Sequence, residues 1–429
     1  MEGIRIRGGA RLYGEVRVPG AKNSVLPILA ASLLCRGPVT LTDVPGLSDV
    51  AAAAGILQSL GCRVVQPGAG QLGIVPPDHP GSIVPQRLMK VMRSSLFFLA
   101  PMLSRTGRAV ISLPGGCNLG ARPIDMHLRG LAAMGAEFRE NGQMMAVLAP
   151  GGLKGARITL RFPSVGATET LLMAAVCARG ETVIYGAAVE PEVTDLALFL
   201  KKAGACISGI GTRCLRIMGT ERLEGVAWAV CPDRITAATL LCAVAACGGR
   251  VTLQHVDARA CAAVARVLRR AGCDVRCAGP AALRVEGDGR LMGVGGLFTD
   301  VYPAFPTDAA PLLAAALLRA NGESAITDTV FENRFACAAG FTALGANAGV
   351  LGRTITIHGV RQLQGAYLTA PDLRGGAALA IAALAAEGES LLMGTEHIDR
   401  GYEDLASLLA ALGADTARVR RRELPARQA

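Results

Sequence analysis

Aromatic side chains are scarce in this sequence: one Trp, five Tyr and ten Phe, or 4% of 429 residues. The shortage bears on the net charge of +10, which points to anionic partners. Proteins that bind single-stranded nucleic acid interleave basic residues with stacking rings. No basic stretch here carries Phe or Tyr within it, and the basic tail "RVRRRELPARQA" forms no site of its own, so small phosphorylated ligands fit better than nucleic acid. Only five histidines occur (His79, His127, His255, His358, His397), without ligand spacing, so neither a metal nor a cofactor is expected. No apolar run approaches the ~18 residues of a membrane helix. The first twenty residues alternate polar and apolar side chains, unlike a signal peptide, and a soluble cytoplasmic protein is expected. The thirteen cysteines include no CxxC pair, which disfavours both a disulfide framework and a zinc ribbon. No GxxxxGK[ST] loop is present, and "GAGQLG" lacks the dinucleotide-binding spacing.

What the chain has in plenty is glycine, 53 residues, and some of it is periodic. An apolar residue, Gly, then Ala or Cys recurs at Gly61, Gly135, Gly204, Gly272, Gly345 and Gly413, with spacings of 74, 69, 68, 73 and 68. Each Gly follows a helical apolar pattern such as "ARVLRRAGC", and most precede alternating residues, which reads as a helix, a Gly cap and a hairpin. A second marker, Gly before a β-branched run, keeps step in "RGPVTLTDV", "TGRAVISLP", "RGETVIYGA", "GGRVTLQHV", "NGESAITDT" and "EGESLLMGT". A length of 429 residues exceeds what one core usually serves, so six units imply an α/β protein of two lobes with three units each. The first lobe is placed at residues 21–230. Residues 231–429 form the second, which residues 1–20 join if the N-terminal strands pair there. A ligand cleft between lobes is expected.

Several stretches carry chemistry. "VPGAKNSVLPILAASLL" sets Lys22 and Asn23 at the start of an apolar helix, where they serve as a phosphate or carboxylate site or as a solvated helix start. "PGGCNLGARP" surrounds Cys117 with glycines and brings Arg122 near, so the thiol is either activated or one more small buried hydrophobe. Asp308 in "AFPTDAAPLL" is either an N-cap or a general base. Arg374 in "APDLRGGAAL" and Arg400 in "EHIDRGYEDL" either fork onto an anion or pair with Asp372 and Asp399.

Taken in order, "GAKNSVLPILAASLL", "MRSSLFFLAPML", "SLPGGCNLGARPIDMHLRGL", "PSVGATET", "EPEVTDLA", "AFPTDAAP", "TVFENRF", "DLRGGAAL" and "HIDRGYEDL" resemble the bacterial UDP-N-acetylglucosamine enolpyruvyl transferases over nearly the whole chain. The resemblance implies a two-lobed inverted α/β barrel of six βαβαββ units, with the active site in the interdomain cleft. It implies transfer of the enolpyruvyl group of phosphoenolpyruvate to the 3-hydroxyl of UDP-N-acetylglucosamine, with release of phosphate, the first committed step of peptidoglycan synthesis.

By the same resemblance, Lys22, Asn23, Arg122, Arg374 and Arg400 would bind phosphoenolpyruvate. Cys117, on a mobile loop, would be the general acid and the target of fosfomycin, and Asp308 the base. Arg93, Arg122, Pro123, Ile124, Asp125, Met126, Pro163, Ser164, Val165, Gly166, Asp308 and Val330 would contact the UDP-sugar. Departures from the family pattern fall at Ser48, at Thr236 and Ala238, and across residues 336–340. They leave open a weak or regulatory paralogue that binds the UDP-sugar, beside a transferase using another acceptor such as shikimate 3-phosphate.

Overall fold

The computed structural model of the chain describes residues 2–86, 88, 93–112, 124–142 and 144–420. These form two compact units, one from the described residues between 20 and 231, the other from residues 2–19 and 232–420.

The six periodic glycines all adopt positive φ, from 86° at Gly345 to 110° at Gly204, a region that L side chains avoid. Each closes a helix in the same way. In the first copy the N–H of Gly61 donates to Gln58 and that of Cys62 to Leu57. In the fourth, Gly272 donates to Arg269 and Cys273 to Leu268. This pair of bonds is the Schellman cap, and a strand starts just after each one.

Among the described residues the strands build six sheets, five of four strands and one of three. The pattern is plain in the second unit. Glu323–Thr327 pairs parallel with Gly295–Phe298 and antiparallel with Thr354–His358, which carries Asn347–Leu351 at the edge. Gly249–Gln254 and Glu389–Met393 are the matching central strands of the other two sheets. There the chain's first strands complete the pattern, since Leu12–Arg17 is the parallel partner of the former and Glu2–Arg7 the antiparallel partner of the latter. The first unit closes on itself, because Ala227–Ala229 returns to pair parallel with Val39–Thr42. In its three-stranded sheet the parallel strand is reduced to one bridge between Ile83 and Val110. Among the described residues no sheet closes into a cylinder.

Under the sheets lie helices that are apolar on every side. Every residue from Ile235 to Ala246 in the helix Arg234–Cys247 is buried, and so is all of Ala310–Leu317. With Leu373–Leu384 these helices pack on one another as the centre of the second unit. In the first unit the helices Lys22–Ser32, Leu99–Thr106 and Val165–Ala175 take the same role, burying residues 24–32, 99–103 and 167–175. A helix without a polar face has to sit in a core. Helices carrying the capping glycines are instead one-sided: Ala262–Arg270 buries Val264, Ala265, Val267 and Leu268 and exposes Arg266, Arg269 and Arg270. No described helix is long and apolar enough to cross a membrane.

Candidate functional site

All six buried helices start at a stretch singled out in the sequence. Lys22 opens the first, the short 3-10 turn Arg93–Phe98 leads into the second, and Ser164 caps the third. In the second unit, Asp233 caps Arg234–Cys247, Thr307–Ala309 leads into Ala310–Leu317, and Asp372 caps Leu373–Leu384. A helix N-terminus offers free N–H groups and the positive end of its dipole, so each start favours an anion.

In the second unit, Asp308 sits in the short turn Thr307–Ala309, just ahead of Ala310–Leu317. Its Oδ1 lies 3.4 Å from Arg334 Nη2 and 3.5 Å from Arg374 Nε. Asp308 is half-buried, whereas Arg334 and Arg374 are almost wholly enclosed. Asp372 does not pair with Arg374 as a surface ion pair. Its Oδ1 accepts from the backbone N–H groups of Arg374 and Gly375 at 2.9 Å each, while the Arg374 side chain turns to Asp308 and Tyr402. Burial works against the Arg374 charge, but Asp308, Tyr402 and Asp233 outweigh it and hold the guanidinium above its ordinary value. Burial also pushes the Tyr402 phenol up, so it stays protonated. Arg400 is half-buried, and the neighbouring Asp399 receives both guanidinium ends of Arg418. Val330 donates its N–H to Asp328 at 2.9 Å.

In the first unit, Lys22 is buried and not solvated. Its Nζ lies 2.7 Å from Asp49 Oδ2, in the first turn of the helix Ser48–Ser59, and Asn23 beside it is half-buried. The next residue, Ser24, donates to Asp195, which also accepts from Trp228 Nε1 at 3.2 Å and from the Cys231 N–H at 3.1 Å. Burial nevertheless outweighs these bonds and raises the Asp195 carboxyl above its usual range. Residues 124–126 and 163–166 come together here. Arg161 reaches Asp125 at 3.0 Å, and a Cβ placed on Gly166 would stand 3.1 Å from His127 Nε2. Burial pushes the His127 imidazole down to about 4, so the ring is neutral at ordinary pH.

Cys117, Arg122 and Pro123 lie outside the described residues. The departures lie beside these clusters: Ser48 precedes Asp49, and the Thr236 N–H donates to Asp233 at 3.2 Å. Thr236 and Ala238 are buried in their helix, Ser48 is exposed at a helix start, and residues 336–340 lead into the helix Ala338–Ala343. Sequence reasoning missed Arg334, Thr307, Asp328, Tyr402 and Asp195. Arg334 had a signal, as an arginine between aromatic residues in "FENRF", and in the fold it lies over the Phe331 ring at 4.5 Å.

The family model for EPSP synthase (3-phosphoshikimate 1-carboxyvinyltransferase) matches residues 6–409. The chain belongs to this family of enolpyruvyl transferases. Among its relatives, the UDP-N-acetylglucosamine 1-carboxyvinyltransferase of Gluconobacter oxydans is 46% identical over 421 residues, 98% of this chain and 100% of the other. The protein of that name from Finegoldia magna is 42% identical over 420 residues, 98% and 99% of the two chains. Of solved structures, the enolpyruvyl transferase NikO from Streptomyces tendae superposes with a TM-score of 0.86 at 26% identity, over 97% of this chain and 99% of that one. EPSP synthase from Acinetobacter baumannii, at 21% identity and a TM-score of 0.75 over 98% and 100% of the two chains, shares the fold.

Proposed function

We propose that the chain transfers the enolpyruvyl group of phosphoenolpyruvate to the 3-hydroxyl of UDP-N-acetylglucosamine and releases phosphate, a step of peptidoglycan synthesis carried out in the cytoplasm. The observation that carries this reading is the identity of 42–46%, over nearly the full length, to relatives named UDP-N-acetylglucosamine 1-carboxyvinyltransferase. Shikimate 3-phosphate is the acceptor class in the name of the family model, and the EPSP synthase of Acinetobacter baumannii is 21% identical.

In the proposed mechanism Asp308 takes the proton of the sugar 3-hydroxyl, whose oxygen attacks C2 of phosphoenolpyruvate while Cys117 protonates C3. The product of addition is a tetrahedral ketal. Loss of a proton from the new methyl group and cleavage of the C2–O bond to phosphate then give the enolpyruvyl ether and inorganic phosphate. The position of Asp308 between Arg334 and Arg374 supports its part, since it sets the carboxylate beside two guanidiniums that keep donors for a second carboxylate, that of phosphoenolpyruvate. Lys22, Asn23, Arg122 and Arg400 are assigned to the remaining charge of that substrate. Residues 124–126 and 163–166, with Arg93, Pro123 and Val330, are assigned to the UDP-sugar. The two adjoining helix starts at Asp125 and Ser164 suit its diphosphate.

The test is phosphate release from phosphoenolpyruvate with UDP-N-acetylglucosamine or shikimate 3-phosphate as acceptor, with and without fosfomycin. Release with the first alone, abolished by Cys117→Ala and by Asp308→Ala, is expected. Turnover only with shikimate 3-phosphate, or UDP-sugar binding without release, would overturn the reading.

A further inference from the structure

Asp328 is one of the most enclosed carboxylates of the second unit, with no exposed surface. It follows the strand Glu323–Thr327, and both its oxygens are in use. Oδ1 accepts the N–H groups of Val330 at 2.9 Å and Phe331 at 2.6 Å, and Oδ2 accepts the hydroxyl proton of Thr307. That last bond fixes a direction. With its proton committed to Asp328, the Thr307 oxygen can only accept on its other side, and there it meets Arg334 Nε at 2.9 Å. Asp328 Oδ2 stands 3.9 Å from the same Nε and supplies the opposite charge. The guanidinium is thereby held over the Phe331 ring, 4.5 Å from its centre, with Nη2 directed to Asp308 Oδ1 at 3.4 Å.

An arginine side chain has many rotamers, and an enclosed one is useful only if its fork is aimed. Here one hydroxyl aims it, one carboxylate holds the hydroxyl, and that carboxylate also fixes the backbone at Val330. We infer that Thr307 and Asp328 are positioning residues for the transfer. They set the Arg334 guanidinium against Asp308, so that the donors left over point at the carboxylate of the enolpyruvyl donor. The inference rests on the proposed roles of Asp308 and Arg334. Arg374 also faces Asp308 directly, and Tyr402 and Asp233 lie beside Arg374.

The experiment is steady-state kinetics of phosphate release for Thr307→Val, Thr307→Ser, Asp328→Asn, Arg334→Ala and the double variant Thr307→Val with Arg334→Ala, each checked for folding by thermal denaturation. Thr307→Val keeps the volume and loses the hydroxyl. It is expected to lower kcat/KM for phosphoenolpyruvate at least about tenfold, the usual consequence of removing a hydrogen bond to a charged group. Asp328→Asn should do the same, whereas Thr307→Ser should stay within about twofold of the parent. The double variant should be no slower than Arg334→Ala alone, because Thr307 acts through Arg334. Multiplying losses in the double variant, equal impairment of the Ser and Val variants, or an unimpaired Thr307→Val would each overturn the inference. If Thr307→Val does not fold, Thr307→Ala is read against the same outcomes. Asp308→Asn separates the two readings, since its activity tests the base while the Thr307 and Arg334 cycle tests coupling alone.

Discussion

Arg374 Nη1 donates to the Tyr402 hydroxyl at 3.4 Å, and its guanidinium stands 5.9 Å from the centre of that ring. The same hydroxyl lies 2.7 Å from Thr239 Oγ1, whose own proton goes to the Ile235 carbonyl at 2.9 Å. Thr239 therefore accepts, Tyr402 donates to it, and the phenol's lone pairs are left for Arg374. A buried tyrosine at the foot of the helix Arg234–Cys247 thus sets the position of an arginine on the neighbouring buried helix.

Replacing Tyr402 with Phe keeps the ring and removes the acceptor. The expected result is a folded protein about 1 kcal/mol less stable. Its KM for phosphoenolpyruvate should rise roughly tenfold, with UDP-sugar affinity unchanged. Thermal denaturation and kinetics with each substrate varied in turn measure both. An unchanged KM would show that Arg374 is held well enough by Asp308.

Lys22 and Asp49 make a similar case in the first unit, where both are enclosed and 2.7 Å apart. Removing one partner of a buried pair leaves an uncompensated charge, which typically costs about 3–5 kcal/mol. Asp49→Ala is expected to approach the lower end of that range in chemical denaturation and to lose most of its turnover as Lys22 loses the carboxylate that holds it in place. Full activity with intact stability would mean that other groups hold Lys22.

The repeat was legible in the sequence because its marker is a backbone requirement. Only glycine takes positive φ without cost, so all six caps could be read from single letters. The helix starts at Lys22, Asp308 and Arg374 were legible for a related reason: each is a polar residue just ahead of a long apolar run, where a core helix has to begin. Arg334 and Asp328 could not be read that way. Their burial depends on Thr307, some twenty residues earlier, and on a backbone turn at Val330 that no local pattern announces. Nor could Asp195 be assigned, since its partners Ser24, Trp228 and Cys231 come from both ends of the first unit.

Gly272→Ala isolates the backbone term. Its φ is 106°, and a Cβ there would meet nothing within 4 Å, so only conformational strain is added. A loss of about 1–2 kcal/mol is expected from that strain, with kcat and both KM values unchanged. A neutral result would mean that the cap relaxes to negative φ.

Two buried groups of the first unit give its stability opposite pH slopes. His127 has a folded value of about 4 against 6.5 unfolded, mainly from burial, so the unfolded chain binds more protons between those values. Its contribution is whole above pH 6.5 and is lost as pH falls towards 4, by about 3 kcal/mol at most. Glu169 goes the other way. It is wholly buried, neither carboxyl oxygen has a hydrogen-bond partner among the described residues, and burial, with Glu192 and Glu190 nearby, raises it well above 4.5. Its contribution is whole below pH 4.5 and is lost as pH rises through the folded value. Glu169→Gln cannot ionise, so it should remove the loss of stability that sets in above pH 4.5 and leave the curve below pH 4.5 alone. His127→Gln should flatten the acid side only. A Glu169→Gln curve parallel to the parent at every pH would show that this carboxyl ionises in the folded protein as easily as in the unfolded chain, and that water or a cation reaches it.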